Sequence, residues 1–398
     1  MDDDPASDKH PSGRLLIPSL FFSRIATRPS GVLTGFILID IGLTFGCPVG
    51  VMGQILTASS IVAMIMALLT SVLSVRFKQK SLLIAGLVLI SISAIGCYLA
   101  PNYPAMLLSY SLNGIGAVMV APMTIALVGG HLPIEKRSNA IGLIVASTPM
   151  LSVITGLTIG LITSRGWRLA YIFYVLPISI LSLTSAIIGI PSANNGRKSS
   201  LGGGDFLEGF KEVFSNSSAI ACLVGSTLSL AAWSGIVSYG ISFYRQKFLM
   251  PTEWAGIIWS GMAFCFTLGS LFGGKFANKF GRKPLTLLSA LLVGLFTVSY
   301  ANIPLLWPSI ILAHVTSIFA GMRQSASDSL TLEQVPGLRG TIMSLSSGAM
   351  RLGSALGSGV GGFALLRFGW GVLGIALGGM GVAASLIYYF FAVDPTRT

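Results

Sequence analysis

Apolar residues in this chain come in long blocks, broken by short stretches that collect most of the charge. Blocks of about 20 residues are long enough to cross a bilayer as helices. The pattern predicts spans over residues 54–75, 81–100, 105–128, 139–163, 169–190, 219–243, 254–276, 285–301, 308–332, 340–364 and 371–392. Ahead of these lies a first span whose limits are ambiguous. Hydropathy alone places it at 31–50, leaving Arg24 and Arg28 as cytoplasmic flanking charges.

The two halves of the chain repeat one another at an offset of 203 residues (251 − 48 = 203). That register pairs Pro48 with Pro251, Gly53 with Gly256, Phe77 with Phe280 and Lys80 with Lys283. It continues through Pro101 with Pro304 and Pro133 with Pro336 to Gly166-Trp167 with Gly369-Trp370. Carried back, the charge-free span 219–243 maps onto 16–40. This alternative places Arg24 and Arg28 inside the membrane, about 12 and 18 Å from the cytoplasmic end at 1.5 Å per residue. The expected organisation is a cytoplasmic tail (1–13), a six-helix bundle (14–190), a Gly/Asn/Ser-rich flexible linker (191–216) and a second six-helix bundle (217–398). Residues 205–214 are expected to form a short amphipathic surface helix within that linker.

One stretch carries a recognisable motif: Gly273-Gly274-Lys275-Phe276-Ala277-Asn278-Lys279-Phe280-Gly281-Arg282-Lys283-Pro284. It resembles the cationic loop between helices 8 and 9 of the major facilitator superfamily, with Asn278 where an acid is usual. The pairs Gly274, Asn278, Lys279, Gly281, Arg282 and Lys283 have a decayed counterpart in the first half, where Arg76 and Lys80 remain and Val75 replaces the acid. The resemblance, which covers nearly the whole chain, implies an all-α membrane protein with 12 helices in two six-helix repeats. It also implies alternating access around a midplane site, lined by helices 1, 4, 7 and 10.

Composition fits that reading. The chain is 53% hydrophobic and 10% charged, which excludes an ordinary soluble domain of 398 residues. The net charge of +12 does not indicate a nucleic-acid partner, because most of the Lys and Arg fall in the loops predicted to be cytoplasmic. Both termini are therefore expected in the cytoplasm of a cell-membrane protein, working as a monomer in the lipid bilayer. Cys47, Cys97, Cys222 and Cys265 show no metal-like spacing, and His10, His131 and His314 are scattered. No nucleophilic triad or phosphate loop appears either, so neither a metal, a cofactor nor an enzymatic activity is expected.

The chemistry lies in charges inside the membrane, which are costly there and so mark function. On the repeat register these are Arg24, Arg28, Arg323 and Arg351, with Asp328 as the one deeply placed acid and His314 nearer the external side. Arg24 and Arg28 share a helical face. Arg323 is expected opposite them, bringing the second half to the same ligand, with Tyr110, Asn113 and Tyr239 as neutral donors. Asp328, Arg351 and His314 form the expected charge network, Asp328 as an ionised partner of a neighbouring arginine. Four cations against one acid point to a small organic anion as solute, with a proton or counter-anion as coupling species. A proton-coupled drug or metabolite exporter is the alternative within the family. Against it stand Tyr110 where such exporters carry Arg, Val75 and Asn278 in place of acids, and Gly156 in place of Pro. A non-transporting membrane receptor is the alternative from another class.

Overall fold

The computed structural model describes residues 12–132, 134–163, 166–191, 211–335 and 338–395. Residues 1–11 of the expected tail, residues 192–210 of the expected linker, and Pro133 and Pro336 lie outside that set, as do the side chains of Val75 and Arg76. The described chain is helical almost throughout. Helices α1 (Ser12–Ile25), α2 (Pro29–Phe45), α3 (Val49–Met52), α4 (Gln54–Arg76), α5 (Gln79–Leu99), α6 (Tyr103–His131) and α7 (Ile134–Thr163) come first. Then α8 (Trp167–Ala170) passes through a π-turn (Tyr171–Val175) into α9 (Leu176–Gly189). The second half holds α10 (Ser217–Lys247), α11 (Thr252–Phe280), α12 (Arg282–Asn302), α13 (Leu306–Leu332) and α14 (Arg339–Phe391).

Taking α1–α2, α3–α4 and α8–α9 as interrupted single crossings, and α14 as two crossings, gives the twelve spans of the expected fold. α14 reverses at Gly369 (φ 83°, ψ −171°), and Gly166 (φ 129°) makes the equivalent turn in the first half. Both turns need positive φ, which glycine adopts without steric cost. This is why the Gly-Trp pair recurs. α13 falls short of the apolar composition of most other spans because it carries Arg323, Gln324, Asp328 and a series of serines. The cationic motif is shorter as a loop than its sequence implies. α11 stays helical through Asn278 and Lys279 to Phe280, and only Gly281 (φ 102°) separates it from α12.

Helix 1 follows the repeat register, not hydropathy: it runs from Ser12 to Phe45 with a break at residues 26–28. Pro29 causes the break. It has no N–H to bond the carbonyl of Ile25 and its ring obstructs the helical path. The chain responds by tightening into a 3₁₀-like turn, in which Thr27 N donates to Arg24 O (3.3 Å) and Arg28 N to Ile25 O (3.1 Å). The Thr27 hydroxyl also donates to Arg24 O (2.8 Å). α2 then restarts at Pro29, the residue type best suited to a first helical position.

The apolar core shows how the halves meet. At the end away from the termini one continuous cluster mixes both halves, including Phe36, Ile37 and Tyr110 with Tyr239, Phe243, Trp259 and Leu377. At the terminal end the clusters separate: one belongs wholly to the first half (Leu16 to Ile190) and two wholly to the second. Polar contacts between halves follow the same division. Arg245 on α10 grips Asp40 on α2 through both oxygens, at 2.6 and 3.0 Å, and also donates to Phe36 O at 3.1 Å. α4 and α14 share a seam of short side chains: Gln54 to Gly359 O (3.5 Å), Thr57 with Ser358 (2.8 Å) and Ser60 with Ser354 (3.3 Å). Ser260 on α11 donates to Val153 O on α7 (2.9 Å). Tyr239 wedges between Gly53 on α4's N-terminal edge and Gly362 on α14, where any Cβ would collide with its ring or hydroxyl.

Candidate functional site

The break in helix 1 creates a helix N-terminus within the protein. α2 begins there with Arg28 at its N-cap position, and the Arg28 side chain does not cap it. The first N–H groups of a helix have no intrahelical partner and carry the positive end of its dipole. At the same turn the Ser30 hydroxyl, on a residue 1% exposed, is buried beside the Tyr110 hydroxyl. Arg28 itself is exposed. Arg24, one turn earlier, is partly buried and its Nε is unpartnered.

The second half contributes Arg351. It lies twelve residues into α14, as Arg24 lies twelve residues into α1, which puts both about 18 Å along their helices at 1.5 Å per residue. Arg24, Arg28 and Arg351 are near enough for their charges to repel one another. Among the described residues no carboxylate pairs with any of the three. The three guanidiniums and the N-terminus of α2 offer donors suited to paired hydrogen bonds with carboxylate or phosphate.

Arg323, expected opposite the helix-1 pair, is elsewhere. It is 1% exposed and its neighbours are Tyr388 on α14 and the side chains of its own helix. Its Nη2 donates to Gln324 Oε1 (3.0 Å), and Gln324 Nε2 donates in turn to both Asp328 oxygens (2.9 and 2.8 Å). The carboxylate therefore balances Arg323 through an amide bridge, because five residues along one helix is a poor spacing for direct contact. Among the described residues no ion pair joins Asp328 to Arg351, although Gln324 also reaches the sulfur of Met350 (3.8 Å), the residue before Arg351. His314 is about 21 Å along α13 from Asp328 at 1.5 Å per residue. Its ring covers Gly261 on α11 and its Nδ1 bonds Ile310 O (2.8 Å), so it packs α13 against α11.

The neutral candidates divide similarly. Tyr110 is 2% exposed and packs across Gly31 at the start of α2, supporting the break. Asn113 is buried on α6 with its Oδ1 unpartnered. Tyr239 spends its hydroxyl on Ser358 O (2.7 Å) in the contact between halves. At the cationic motif, Gly274, Asn278 and Lys279 are exposed, and Arg282 reaches Glu333 (3.6 Å). The start of α12 is held by Asp394, which accepts from the backbone N–H groups of Arg282 and Lys283 (3.1 and 3.3 Å). In the first half Lys80 instead clips the end of α9, donating to Ile187 O (3.0 Å) and Ile190 O (2.6 Å). Sequence reading missed Ser30, Gln324 and the Asp40–Arg245 pair. The i, i+4 spacing of Gln324 and Asp328 was a usable signal, and so was a serine following the proline.

Known proteins share this architecture. An uncharacterized MFS-type transporter of Bacillus subtilis, YwfA, is 23% identical over 390 residues, covering 96% of this chain and 93% of that protein. Among solved structures, a bacterial homologue of the human lysosomal transporter Spinster, inward-facing and occupied, superposes with a TM-score of 0.79 at 15% identity. It covers 96% of this chain and 97% of that one. The nucleoside transporter NupG gives 0.77 at 16%, covering 94% and 98%, and a D-xylose-proton symporter gives 0.75 at 16%, covering 96% and 98%. The sequence signature of the Major Facilitator Superfamily matches residues 20–301 and 250–398. With that coverage and a twelve-span helical fold, the chain belongs to the Major Facilitator Superfamily of multi-pass membrane transporters.

Proposed function

We propose that this chain is a secondary carrier for a small organic anion, a carboxylate or phosphate ester, bound by Arg24, Arg28 and Arg351 beside the break in helix 1. One observation carries the reading: Arg24, Arg28 and Arg351, drawn from both halves, have no carboxylate partner among the described residues. A guanidinium stays charged, so it needs either an anionic ligand or solvation by water. The solved neighbours move different solutes, and at their level of identity the choice of solute rests on this chain's own residues. The excess of cations at the terminal end supports a cytoplasmic location for both termini, so the cleft opens inward while the Asp40–Arg245 end closes the outside. The test is a melting-temperature screen of the purified protein against anions, cations and neutral drugs. Stabilisation by anions alone, lost in Arg28→Ala, supports the proposal; stabilisation by cations or neutral drugs only would overturn it.

A second reading has its own observation. Asp328 is a partly exposed acid whose partner is an amide and not a cation, as a proton-carrying residue in an exporter would be. An Asp328→Asn protein that still exchanges solute but no longer accumulates it on a proton gradient would favour that reading.

A further inference from the structure

We infer that the end away from the termini carries a second ligand site, where a small amphiphilic carboxylate bridges the two halves and holds that end closed. A cavity of about 420 Å³ lies beside the Asp40–Arg245 contact, lined by Ile39, Arg245, Gln246, Leu249, Met250 and Pro251. Small-molecule sites span about 300–1,000 Å³. Ile39 comes from α2 in the first half, and the other five from the end of α10 and the turn after it. The cavity lies roughly 16 Å further along helix 1 than Arg28, at 1.5 Å per residue. It does not depend on which solute the arginines there bind.

Arg245 supplies the head-group chemistry. Its Nη1 donates to Asp40 Oδ2 and Phe36 O, and its Nη2 to Asp40 Oδ1. Nε–H and the second N–H of Nη2 are left without a protein partner among the described residues. These two lie along one edge of the planar group, and such an edge takes a carboxylate through paired hydrogen bonds. Asp40 keeps its own bonds, so an occupant adds to the contact between halves. Ile39, Leu249, Met250 and Pro251 offer an apolar wall to a short aliphatic chain.

Leu249 supports this independently. It is the one non-glycine residue with positive φ (51°) among the described residues. The repeat register pairs it with Gly46 (249 − 46 = 203), whose φ of 67° follows the end of α2. Glycine adopts that backbone without steric cost, whereas leucine is strained there. The Leu249 side chain is 86% exposed, so burial within the protein does not offset the strain. Forming a wall of the cavity beside Arg245 gives that side chain a use which the fold does not.

Because the walls belong to different halves, the site is whole only while this end is closed, and an occupant favours the closed form. A ligand confined to one form shifts the balance by 1 + [L]/Kd, about fivefold at four times Kd. The test uses the full chain in phosphatidylcholine nanodiscs, with its four native cysteines replaced and Ser260→Cys in the seam between halves as reporter. Octanoate should slow maleimide labelling by roughly fivefold or more, and octanol and octyltrimethylammonium by less than about twofold. Equal slowing by all three, or none by octanoate, would overturn the proposal. Leu249→Gly relieves the backbone, so it should melt no lower than the parent and label at the parent's rate without ligand. It should nevertheless raise the octanoate concentration for half effect by roughly fivefold or more. An unchanged octanoate response in Leu249→Gly would place the ligand elsewhere and overturn the site. Phosphatidylglycerol nanodiscs separate a soluble ligand from a lipid. Labelling already slow there without octanoate, and restored by Leu249→Gly, would assign the cavity to a membrane lipid and overturn the soluble source.

Discussion

Asp40→Asn tests the outer closure most directly. Arg245 holds Asp40 by two bonds of 2.6 and 3.0 Å and keeps a third to Phe36 O, which the substitution leaves in place. The side chains are 14% and 30% exposed, so the pair is neither fully screened nor fully desolvated. A hydrogen bond to a charged group contributes about 1.5–3 kcal/mol, and exposed pairs about 0–1 kcal/mol. An intermediate value of about 1–2 kcal/mol corresponds to roughly a five- to thirtyfold shift in a two-state population. Because the pair joins α2 to α10 across the halves, that shift should favour the outward-open form. The assay is labelling from outside by a membrane-impermeant maleimide of a cysteine replacing Ser260, which is 5% exposed in the seam between halves. The four native cysteines are removed first. Asp40→Asn should speed labelling by roughly five- to thirtyfold, and the exchanged pair Asp40→Arg with Arg245→Asp should restore the slow rate in part. Labelling unchanged within about twofold, well below the range expected for that energy, would refute the assignment of a closing role to this pair.

Three further outcomes follow from the same structure. Arg28→Lys keeps the charge but loses the planar fork, so anion affinity measured by calorimetry should fall by about 1.5–3 kcal/mol, with an unchanged melting temperature. Asp328→Asn leaves buried Arg323 without its bridged counter-charge and should destabilise the protein by about 1.5–3 kcal/mol. Replacing both Arg323 and Asp328 by leucine should recover much of that in thermal denaturation; a single variant as stable as the parent would sink the bridge. Asp394→Ala removes a cap at the start of α12 and should cost about 0.5–2 kcal/mol, whereas Asn278→Ala, at an exposed position, should cost little; the reverse order would be a refutation.

The repeat made much of the fold legible. Its register located helix 1 where hydropathy could not, since hydropathy penalises a helix that carries Arg24 and Arg28. It also paired Gly166-Trp167 with Gly369-Trp370, the two places where the chain turns. Pairings between distant helices were less legible. Arg351 was visible as an intramembrane charge, but nothing in one sequence says that α14 brings it to α1 while Arg323 turns into its own bundle. Asp40 and Arg245 are read separately as rim charges, and their union depends on which conformation the halves adopt. Gln324 carries no charge, so a search for charges passed over the residue that links Arg323 to Asp328.

The α4–α14 seam has a kinetic consequence. Gln54, Thr57 and Ser60 meet Ser354, Ser358 and the Gly359 carbonyl through hydrogen bonds that water can replace one for one. Parting two such strips exchanges partners of similar strength, so the open and closed arrangements stay near in free energy. An aliphatic strip would expose apolar area at about 25 cal/mol per Å² and hold the protein in one arrangement. A surface that must separate and rejoin in every cycle gains speed from adhering weakly. Thr57→Val with Ser358→Ala should therefore slow turnover while raising thermal stability.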